Sequence, residues 1–417
     1  MKLKRILAFI LVLGLVFPSV LTHGDVAHGQ EEISYDYLNT DNQSVSKEEK
    51  VYPNDYSSTE RSQNFDRNWK FISGDQEGAE GVNYDDSDWR NIDLPHDFSI
   101  EKEYTKSGEA ESGYLLGGTG WYRKSFFIPE SEKDNLVSID FDGVYMETTV
   151  YVNGNRLGIH PYGYSPFSFD ITKYLNYGEE NIIAVKVVNN VPTSRWYSGS
   201  GIYRSVNLTI TDKLHISEFG TKIETPNLKE EVGGEVSVKV DVDLENKTEE
   251  NKDVKVKHIV YERENPTAII GEFTSEVFTV NANSSHKITN NFKVNNPKLW
   301  STDDPNLYTV ETQLLVDDEV VDSYKDRFGF RYFEFDRDTG FSLNGKKMKL
   351  QGVCMHHDQG SLGSRNYKRA VERQFEILKE MGANAVRVTH NPASANLLEV
   401  ADELGILIIE EFFDGWH

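Results

Sequence analysis

The chain contains a single cysteine, Cys354, among its 417 residues. One cysteine cannot form a disulfide within the chain, so the sequence excludes a small scaffold held together by disulfides. The stability must come from packed cores, and the composition allows this because 38% of the residues are hydrophobic and 12% are aromatic. A chain of this length should fold into roughly two to four domains. We expect Cys354 to be a small interior residue rather than a nucleophile, since no acid–base partner is apparent for it.

Positive charge is also scarce. Lys and Arg number 44 against 68 Asp and Glu, and the formal net charge is −24. The acidic residues are spread along the chain, and Lys and Arg do not form clusters. Nucleic acids and anionic membranes are bound through such clusters, so we expect neither as a partner. The composition suits an uncharged ligand.

Long apolar runs are missing after the first residues. The opening "MKLKRILAFILVLGLVFP" places three basic residues before an apolar stretch at 6–17, which is short for a membrane span. With the small residues Ala27 and Gly29, it predicts a signal peptide over residues 1–29; the alternative is a membrane anchor. Residues 30–50 are polar and predict a flexible spacer. We therefore expect an exported protein, secreted or at the cell surface, and few cysteines in an exported chain favour a bacterial source.

Helical periodicity is nearly absent from residues 51–328. Residues 51–212 hold short alternating runs such as "RKSFFIP" and "TTVYVNGNRLG", separated by turn residues such as Asn153-Gly154. This pattern predicts a β jelly-roll sandwich. Residues 213–328 hold further alternating runs, such as "GEVSVKVDVDLEN", and predict an immunoglobulin-like β-sandwich. Because no cysteine pair is present, the likeness to immunoglobulin domains is one of architecture.

The pattern changes after Phe330. Residues 329–417 alternate between strand and helix, in the order "KKMKLQGVCM", "NYKRAVERQFEILKEM", "NAVRVTH", "ASANLLEVADEL" and "ILIIEE". The strands are apolar on both faces, which is typical of a parallel sheet covered by helices. We predict that they are the first three strands of an incomplete (β/α)8 TIM barrel.

Polar side chains follow each of these three strands. In "NAVRVTH", Arg387 lies on the face opposite to the two valines and is predicted to point into the barrel, while His390 ends the strand. A guanidinium buried there costs several kcal/mol unless carboxylates pair with it, so an acid is expected nearby. The first strand ends in "MHHD" and the third in "EEFFDGWH". Because βα-barrel active sites lie at the carboxyl ends of the strands, we predict that Arg387, His390, His356 and Asp358 share one rim.

A metal site is an alternative for the run His356-His357-Asp358. Metal-dependent hydrolase barrels often begin with two His residues separated by one residue, which places both on one strand face. Adjacent His residues point to opposite faces, so we predict no metal and no other cofactor. A metal-dependent amidohydrolase remains a third class of function.

The barrel segments resemble the start of the catalytic barrel of glycoside hydrolase family 2, which holds β-galactosidases, β-glucuronidases and β-mannosidases. The family hallmark is carried in this sequence by Asn384, Arg387, His390, Pro392, Asp402, Gly405 and the apolar residues 406–409. Upstream, "LPHDFSIE", "GGTGWYRKSF" and "RWYSGSGIYRSVNL" are similar to the family's jelly-roll sugar-binding domain. "NPKLWSTDDPNLYTV" is similar to the end of its immunoglobulin-like domain. The segment "MHHDQGSLGSR" looks more like the β-galactosidase branch than the glucuronidase branch.

The resemblance implies an exported retaining glycoside hydrolase, a β-galactosidase that acts on terminal β-D-galactosides in carbohydrates. It implies seven substrate-binding residues: His356, Asp358, Arg387, His390, Arg195, Trp196 and Asp97. Core packing is an equal alternative for Trp196, and turn capping is one for Asp97. The sequence departs from the family at Asn391, where hallmark members carry Tyr, and at Arg195, where well-studied relatives place an acid that contacts the sugar.

The family's two catalytic Glu residues follow barrel strands four and seven, so the resemblance implies that both lie beyond His417. Glu410 and Glu411 cannot replace them, because adjacent strand residues point to opposite faces and cannot flank one bond. We therefore expect an N-terminal fragment that is inactive alone, in which Arg387 lacks the acid it pairs with in the family. The alternative is a non-catalytic carbohydrate-binding or adhesive protein built on the same sandwiches.

Overall fold

The computed structural model describes residues 56–58 and 60–413. The predicted signal peptide and spacer lie outside these residues, as does His417. In the described part of the chain, no helix has the length and apolar character needed to cross a membrane.

Two antiparallel sheets packed face to face form a first sandwich. Its strands are β1 Ser62–Asn64, β2 Trp69–Ser73, β3 Arg90–Ile92, β4 Gly118–Phe127, β5 Leu136–Phe141, β6 Thr148–Val152, β7 Asn155–His160, β8 Phe167–Asp170, β9 Glu180–Asn189 and β10 Val206–Thr211. One sheet has the order β3-β2-β4-β9-β6-β7 and the other β1-β10-β5-β8. Inward-facing side chains of both sheets, among them Trp69, Tyr122, Phe141 and Leu208, form one buried core. The alternation of apolar and polar residues in the sequence therefore predicted this β-sandwich correctly.

A second sandwich follows directly. Its elements are β11 Leu214–Glu224, the one-turn helix α1 Leu228–Glu231, β12 Glu235–Asn246, β13 Lys252–Glu262, β14 Asn265–Thr274, β15 Phe278–Val280, β16 Ser284–Asn295, β17 Tyr308–Val316 and β18 Glu319–Phe328. The sheet β11-β12-β16 faces the sheet β14-β13-β17-β18, and β15 pairs with β13. Every second residue of β12 is buried, because side chains alternate between the two faces of a strand. Phe330 also belongs to this core.

A short antiparallel hairpin separates the second sandwich from the barrel strands, and the sequence did not predict it. Strands β19 Phe333–Asp336, β20 Gly340–Leu343 and β21 Lys346–Lys347 form a small sheet. The run "KKMKLQGVCM", predicted as one strand, is therefore split: Lys346–Lys347 pairs with β20, and the barrel strand begins at Gly352. Asn344 and Gly345 connect β20 to β21 with φ values of 51° and 75°. An Asn-Gly pair with both φ positive is a strong hairpin signal, and it was available in the sequence.

The remaining elements form a parallel sheet with two connecting helices. They are β22 Gly352–Met355, α2 Lys368–Glu380, β23 Ala385–Val388, α3 Ala395–Leu404 and β24 Leu407–Ile409. The strands pair in the order β22-β23-β24. Val386 and Val388 pack with Val371 and Phe375 of α2 in one core, so the two valines face the helices as predicted. Helix α3 begins after Ser394, whose hydroxyl accepts from the Leu397 N–H, and ends at Gly405 with φ 72°.

His258 is a buried neutral imidazole in the second sandwich. It is fully buried, and its ring stacks on Phe292 with centroids 5.5 Å apart. Its Nδ1 lies 3.1 Å from the Thr312 hydroxyl, and its Nε2 lies 2.9 Å from the Asn290 amide nitrogen. Burial lowers the pKa of His258 from 6.5 to about 4, because a charged imidazole would lose its hydration there.

We predict that this histidine contributes to acid unfolding. Below pH 6.5 the unfolded chain binds a proton at His258 that the folded chain does not, so stability falls as the pH drops from 6.5 to about 4. The total loss should be about 3 kcal/mol. Urea unfolding of the wild type and of His258→Gln, at pH 7 and pH 4.5, measures it. The variant should lose less stability on acidification, and equal pH dependence in both proteins would contradict the prediction.

Candidate functional site

The carboxyl ends of the three parallel strands bring distant polar residues together. The segment after β22 begins with His356, and His390 follows β23 after one residue. The two imidazole rings are 5.6 Å apart between centroids. The predicted meeting of these strand ends is therefore correct for the two histidines, because parallel strands expose their carboxyl ends at one edge.

Glu411 joins the two candidate site residues that the second strand supplies. The Arg387 Nε donates a hydrogen bond of 2.7 Å to Glu411 Oε1, and Arg387 Nη2 donates to the same oxygen. The His390 Nδ1 lies 2.7 Å from Glu411 Oε2. The expectation that Arg387 lacks a partner acid is therefore wrong, because Glu411 follows the adjacent strand β24. The expected acid near the strand ends is Glu411.

Arg387 points to the sheet face opposite to the helices, as predicted, and the three strands leave this face open. Its side chain is 44% exposed, whereas that of Glu411 is 22% exposed. Cys354 pairs with Arg387 across the sheet and is also exposed, on the face that a closed barrel would enclose. Its sulfur lies 3.7 Å from Arg387 Nη1. Both side chains lie on the sheet face opposite to the helices, and the described residues do not close that face into a barrel.

The ionisation of the cluster follows from its contacts. Burial alone would raise the pKa of Glu411, but hydrogen bonds from His390 and Arg387 outweigh it, and the pKa is lowered. The pKa of His356 is lowered from its usual value, first by burial and then by the neighbouring His390. Near neutral pH the cluster therefore presents a carboxylate, a guanidinium and a neutral imidazole.

The first sandwich supplies an aromatic ring to this rim. Trp196, in the segment between β9 and β10, stacks on His356 with centroids 5.1 Å apart and an interplanar angle of 23°. It also lies 5.5 Å from the His390 ring. Its indole N–H donates a 2.9 Å hydrogen bond to the Tyr164 hydroxyl. Trp196 is half-buried, so the first sandwich and the barrel strands build the site together.

Two further predicted residues lie at the edges of this cluster. Asp358 is half-buried, and its charge raises the pKa of His356, opposing the effect of burial. Arg195 is exposed and precedes Trp196 in the chain. Their contact with a ligand stays a prediction.

Asp97 has a different role from the predicted one. It is fully buried. Its Oδ1 accepts from the N–H groups of Ser99 and Ser200, both at 3.0 Å. Its Oδ2 accepts from the Tyr197 hydroxyl at 2.5 Å and from the Ser364 N–H and hydroxyl at 2.9 and 3.1 Å. Five donors from the protein occupy the carboxylate, so we correct the assignment of Asp97 as a substrate-binding residue. Asp97 instead joins the first sandwich to the loop after β22. Its bond to Ser99 is the turn cap given as the alternative.

Two glycines make this junction possible. Gly199 has φ 71°, and a Cβ added there would lie 2.0 Å from the Ser364 hydroxyl. Gly363 has φ 67°, and a Cβ added there would lie 2.4 Å from Asp97 Oδ2. No side chain fits either position, so both loops can approach the carboxylate closely.

His357 points away from the rim, as the strand alternation predicted. It is buried against the rings of Tyr164 and Tyr203, and its Nε2 lies 3.0 Å from the Ser198 carbonyl oxygen. Burial lowers its pKa to about 4. Within residues 56–58 and 60–413, no group of three His, Cys, Asp or Glu side chains is placed to hold a metal ion.

Sequence reasoning missed two residues of this site. The sequence analysis excluded Glu410 and Glu411 together as catalytic residues, although strand alternation places them on opposite faces and so predicts different partners. Glu410 accepts from the Ala393 N–H at 2.9 Å, whereas Glu411 accepts from Arg387. Tyr164, which holds the Trp196 indole, lies in a loop and has no distinguishing sequence signal.

Two β-sandwiches followed by parallel βα units, with Arg, His, Glu and Trp at the strand ends, define a protein of the glycoside hydrolase type. Three models of one family match the chain in order: the sugar binding domain of glycosyl hydrolases family 2 at residues 82–212, the family 2 model at 215–331, and the family's TIM barrel domain at 336–413. The chain belongs to glycosyl hydrolases family 2.

Curated relatives carry two different activities in their names. The chain is 39% identical over 356 residues to β-galactosidase BoGH2A of Bacteroides ovatus, covering 85% of this chain and 41% of the relative. It is 32% identical over 383 residues to a β-glucuronidase of Formosa agariphila, covering 85% and 38%.

Solved structures show the same fold. A glycosyl hydrolase family 2 member from Bacteroides cellulosilyticus matches with a TM-score of 0.81 and 40% identity, over 85% of this chain and 46% of that chain. A Bacteroides uniformis β-glucuronidase matches with a TM-score of 0.74 and 32% identity, over 84% and 42%. The chain thus spans less than half the length of these relatives.

We predict that the Asp97 junction stabilises the fold. In Asp97→Asn, an amide NH2 replaces one carboxylate oxygen, and the N–H and O–H groups that donated to that oxygen lose their acceptor. The free energy of unfolding should therefore fall by on the order of 3 kcal/mol. Urea unfolding measures the change. The matched control is Asp134→Asn, because that side chain is 99% exposed and its loss should cost less than about 0.5 kcal/mol. Equal stabilities of the two variants would contradict the prediction.

Proposed function

We propose that this chain is the sugar-binding and early-barrel part of an exported retaining β-galactosidase that acts on terminal β-D-galactosides. The observation that carries the proposal is the cluster of Trp196, His356, His390, Arg387 and Glu411 at the strand ends. An indole face suits the apolar C–H face of a pyranose. Imidazole nitrogens and carboxylate oxygens next to it suit the hydroxyl groups of the sugar.

The chemistry of retention requires two carboxyl groups about 5–5.5 Å apart, one as nucleophile and one as acid and base. The two acids after β24 already serve other groups, since Glu410 binds the Ala393 N–H and Glu411 binds Arg387 and His390. We therefore propose that the reacting carboxyl groups belong to residues outside this chain. Arg387 then acts on the charge of the nucleophile, and Glu411 holds that guanidinium in place.

The preference for galactosides over glucuronides rests on charge. A glucuronide carries a carboxylate that needs a cation in the pocket. In this proposal the guanidinium of Arg387 is occupied by Glu411 and by the nucleophile, and burial lowers the pKa of His356, so neither side chain serves as a cation for a glucuronide. An uncharged sugar therefore fits this cluster better.

We predict that the 417-residue chain does not hydrolyse an aryl β-galactoside, whereas a longer product of the same gene does. The comparison uses equal molar amounts of both proteins. Turnover by the short chain would show that the catalytic groups lie within it and contradict the proposal. A gene that ends at His417, with sugar binding but no hydrolysis, would favour the non-catalytic carbohydrate-binding protein.

In the longer product, we expect Glu411→Gln to lower kcat/KM for an aryl β-galactoside by about tenfold to a hundredfold. The amide removes the charge that holds Arg387 and His390, and misplaced groups near the reacting bond cost about this much. The matched control is Glu403→Gln, whose carboxylate pairs with Arg263 and Lys368 away from the rim. An unchanged kcat/KM, or faster cleavage of an aryl β-glucuronide than of the galactoside by the wild type, would contradict the assignment.

Export is also a proposal, and it rests on residues 1–29. If this segment is a signal peptide, the mature protein recovered from the culture medium or cell surface should begin at Gln30, which N-terminal sequencing would establish. A protein that keeps residues 1–29 would contradict it.

A further inference from the structure

A second cavity lies on the outer face of the first sandwich and shares no residue with the rim cluster. Its volume is about 710 Å³, within the range of about 300–1,000 Å³ that is typical of small-molecule sites. Side chains of β2, β3, β4 and β9 form its floor, and the loop between β2 and β3 forms a wall. We call this cavity the outer groove.

The floor of the outer groove is a polar row across three strands. Lys70 of β2 pairs with Asn91 of β3 on one side and with Arg123 of β4 on the other. These residues alternate with the core residues Trp69 and Tyr122, so they face outward. An outer sheet face of this kind offers polar side chains at the regular spacing of neighbouring strands.

The wall of the outer groove is held rigidly. The Asp86 carboxylate bridges Lys70 Nζ at 2.5 Å and Arg123 Nε at 2.8 Å. Arg123 is 1% exposed and donates to the carbonyl oxygens of Ala79 and Gly81. Its guanidinium lies 5.5 Å from the centroid of the Tyr84 ring. The groove is therefore formed before any ligand arrives, which lowers the entropic cost of binding.

The charges of the outer groove balance. The lining contains the cations Lys70 and Arg123 and the anions Asp86, Asp93 and Glu180. The Lys124 ammonium points away from the groove into the core, where it contacts the Tyr56 hydroxyl and the Phe65 carbonyl oxygen. Together with Arg67, which pairs with Asp93, the groove has three cations and three anions. Asp86 is paired within the groove, and Asp93 pairs with Arg67 at 2.6 Å. A phosphate or a metal ion would find no net opposite charge.

Uncharged groups complete the lining. They are the amides of Asn68 and Asn91, the Ser125 hydroxyl, the half-buried Tyr84 ring and the apolar side chains of Val82 and Ile182. Amides and hydroxyls can donate and accept hydrogen bonds, and an aromatic ring with aliphatic neighbours can cover C–H groups. This combination suits a neutral ligand rich in hydroxyl groups.

We propose that the outer groove binds a segment of an uncharged saccharide, separately from the rim cluster. The choice of a saccharide as ligand rests on the proposed function, whereas the groove itself rests on the geometry above. Such a site would hold a neutral polysaccharide on the first sandwich while the rim engages a chain end.

Affinity electrophoresis of the 417-residue chain in gels containing soluble β-galactan or galactosylated xyloglucan tests the proposal, with polygalacturonate as the anionic comparison. We expect retardation by at least one neutral polysaccharide and none by polygalacturonate. Asn91→Ala should weaken binding by about threefold to tenfold, the usual effect of one lost hydrogen bond. Ser125→Trp, which places an indole in the groove, should lower retardation further, to the level that the rim cluster alone produces.

The matched controls are Asn291→Ala and Ser285→Trp, the same substitutions at exposed positions of β16 in the second sandwich. Both should bind like the wild type. Unchanged retardation of the two groove variants, equal loss in the controls, retardation by polygalacturonate, or no retardation by either neutral polysaccharide would overturn the proposal. These outcomes do not depend on hydrolysis, so a longer gene product without β-galactosidase activity would contradict the proposed function and leave the groove unaffected.

Discussion

The site of this protein depends on one buried carboxylate. Asp97 receives five hydrogen bonds from two domains, and its partner Ser364 lies 267 residues further along the chain. A carboxylate buried without a cation is stable only when its oxygens are fully hydrogen-bonded. Satisfying Asp97 therefore fixes the loop of the first sandwich that ends at Ser200 against the loop that follows β22. Those two loops carry Trp196 and His356, whose stacking builds the rim.

A second junction works by the same principle. The Arg204 side chain is 1% exposed and donates to the carbonyl oxygens of Tyr164 and Pro392. Tyr164 holds the Trp196 indole, and Pro392 lies two residues after His390. Buried polar side chains thus replace apolar packing where the sandwich meets the barrel strands. Because such groups are costly when unpaired, they fix one arrangement of the two domains.

The charges of the two candidate sites are arranged alike. At the rim, Glu411 pairs with Arg387, and in the outer groove the Asp86 carboxylate bridges Lys70 and Arg123. The chain as a whole has a net charge of −24, but in these contacts each carboxylate lies against at least one cation. Paired charges keep their directional hydrogen bonds while offering little attraction to ions. This arrangement is consistent with an uncharged ligand, the class that the composition favoured.

The sequence by itself determined the layers and most of the strand ends. Alternation with a period of two predicted both sandwiches, and the faces of β23 placed Arg387 opposite Val386 and Val388 correctly. These are local properties, since neighbouring side chains of a strand point to opposite faces whatever the rest of the chain does. The tertiary structure decided which groups meet. It made Glu411 the partner of Arg387 and placed Trp196 beside His356. It also made Asp97 a hydrogen-bonded link between two domains instead of a sugar-binding residue. The physical reason is that a hydrogen bond or a ring contact requires atoms to lie within a few ångströms of each other. Segments as distant as Asp97 and Ser364 reach that separation only through the packing of whole domains.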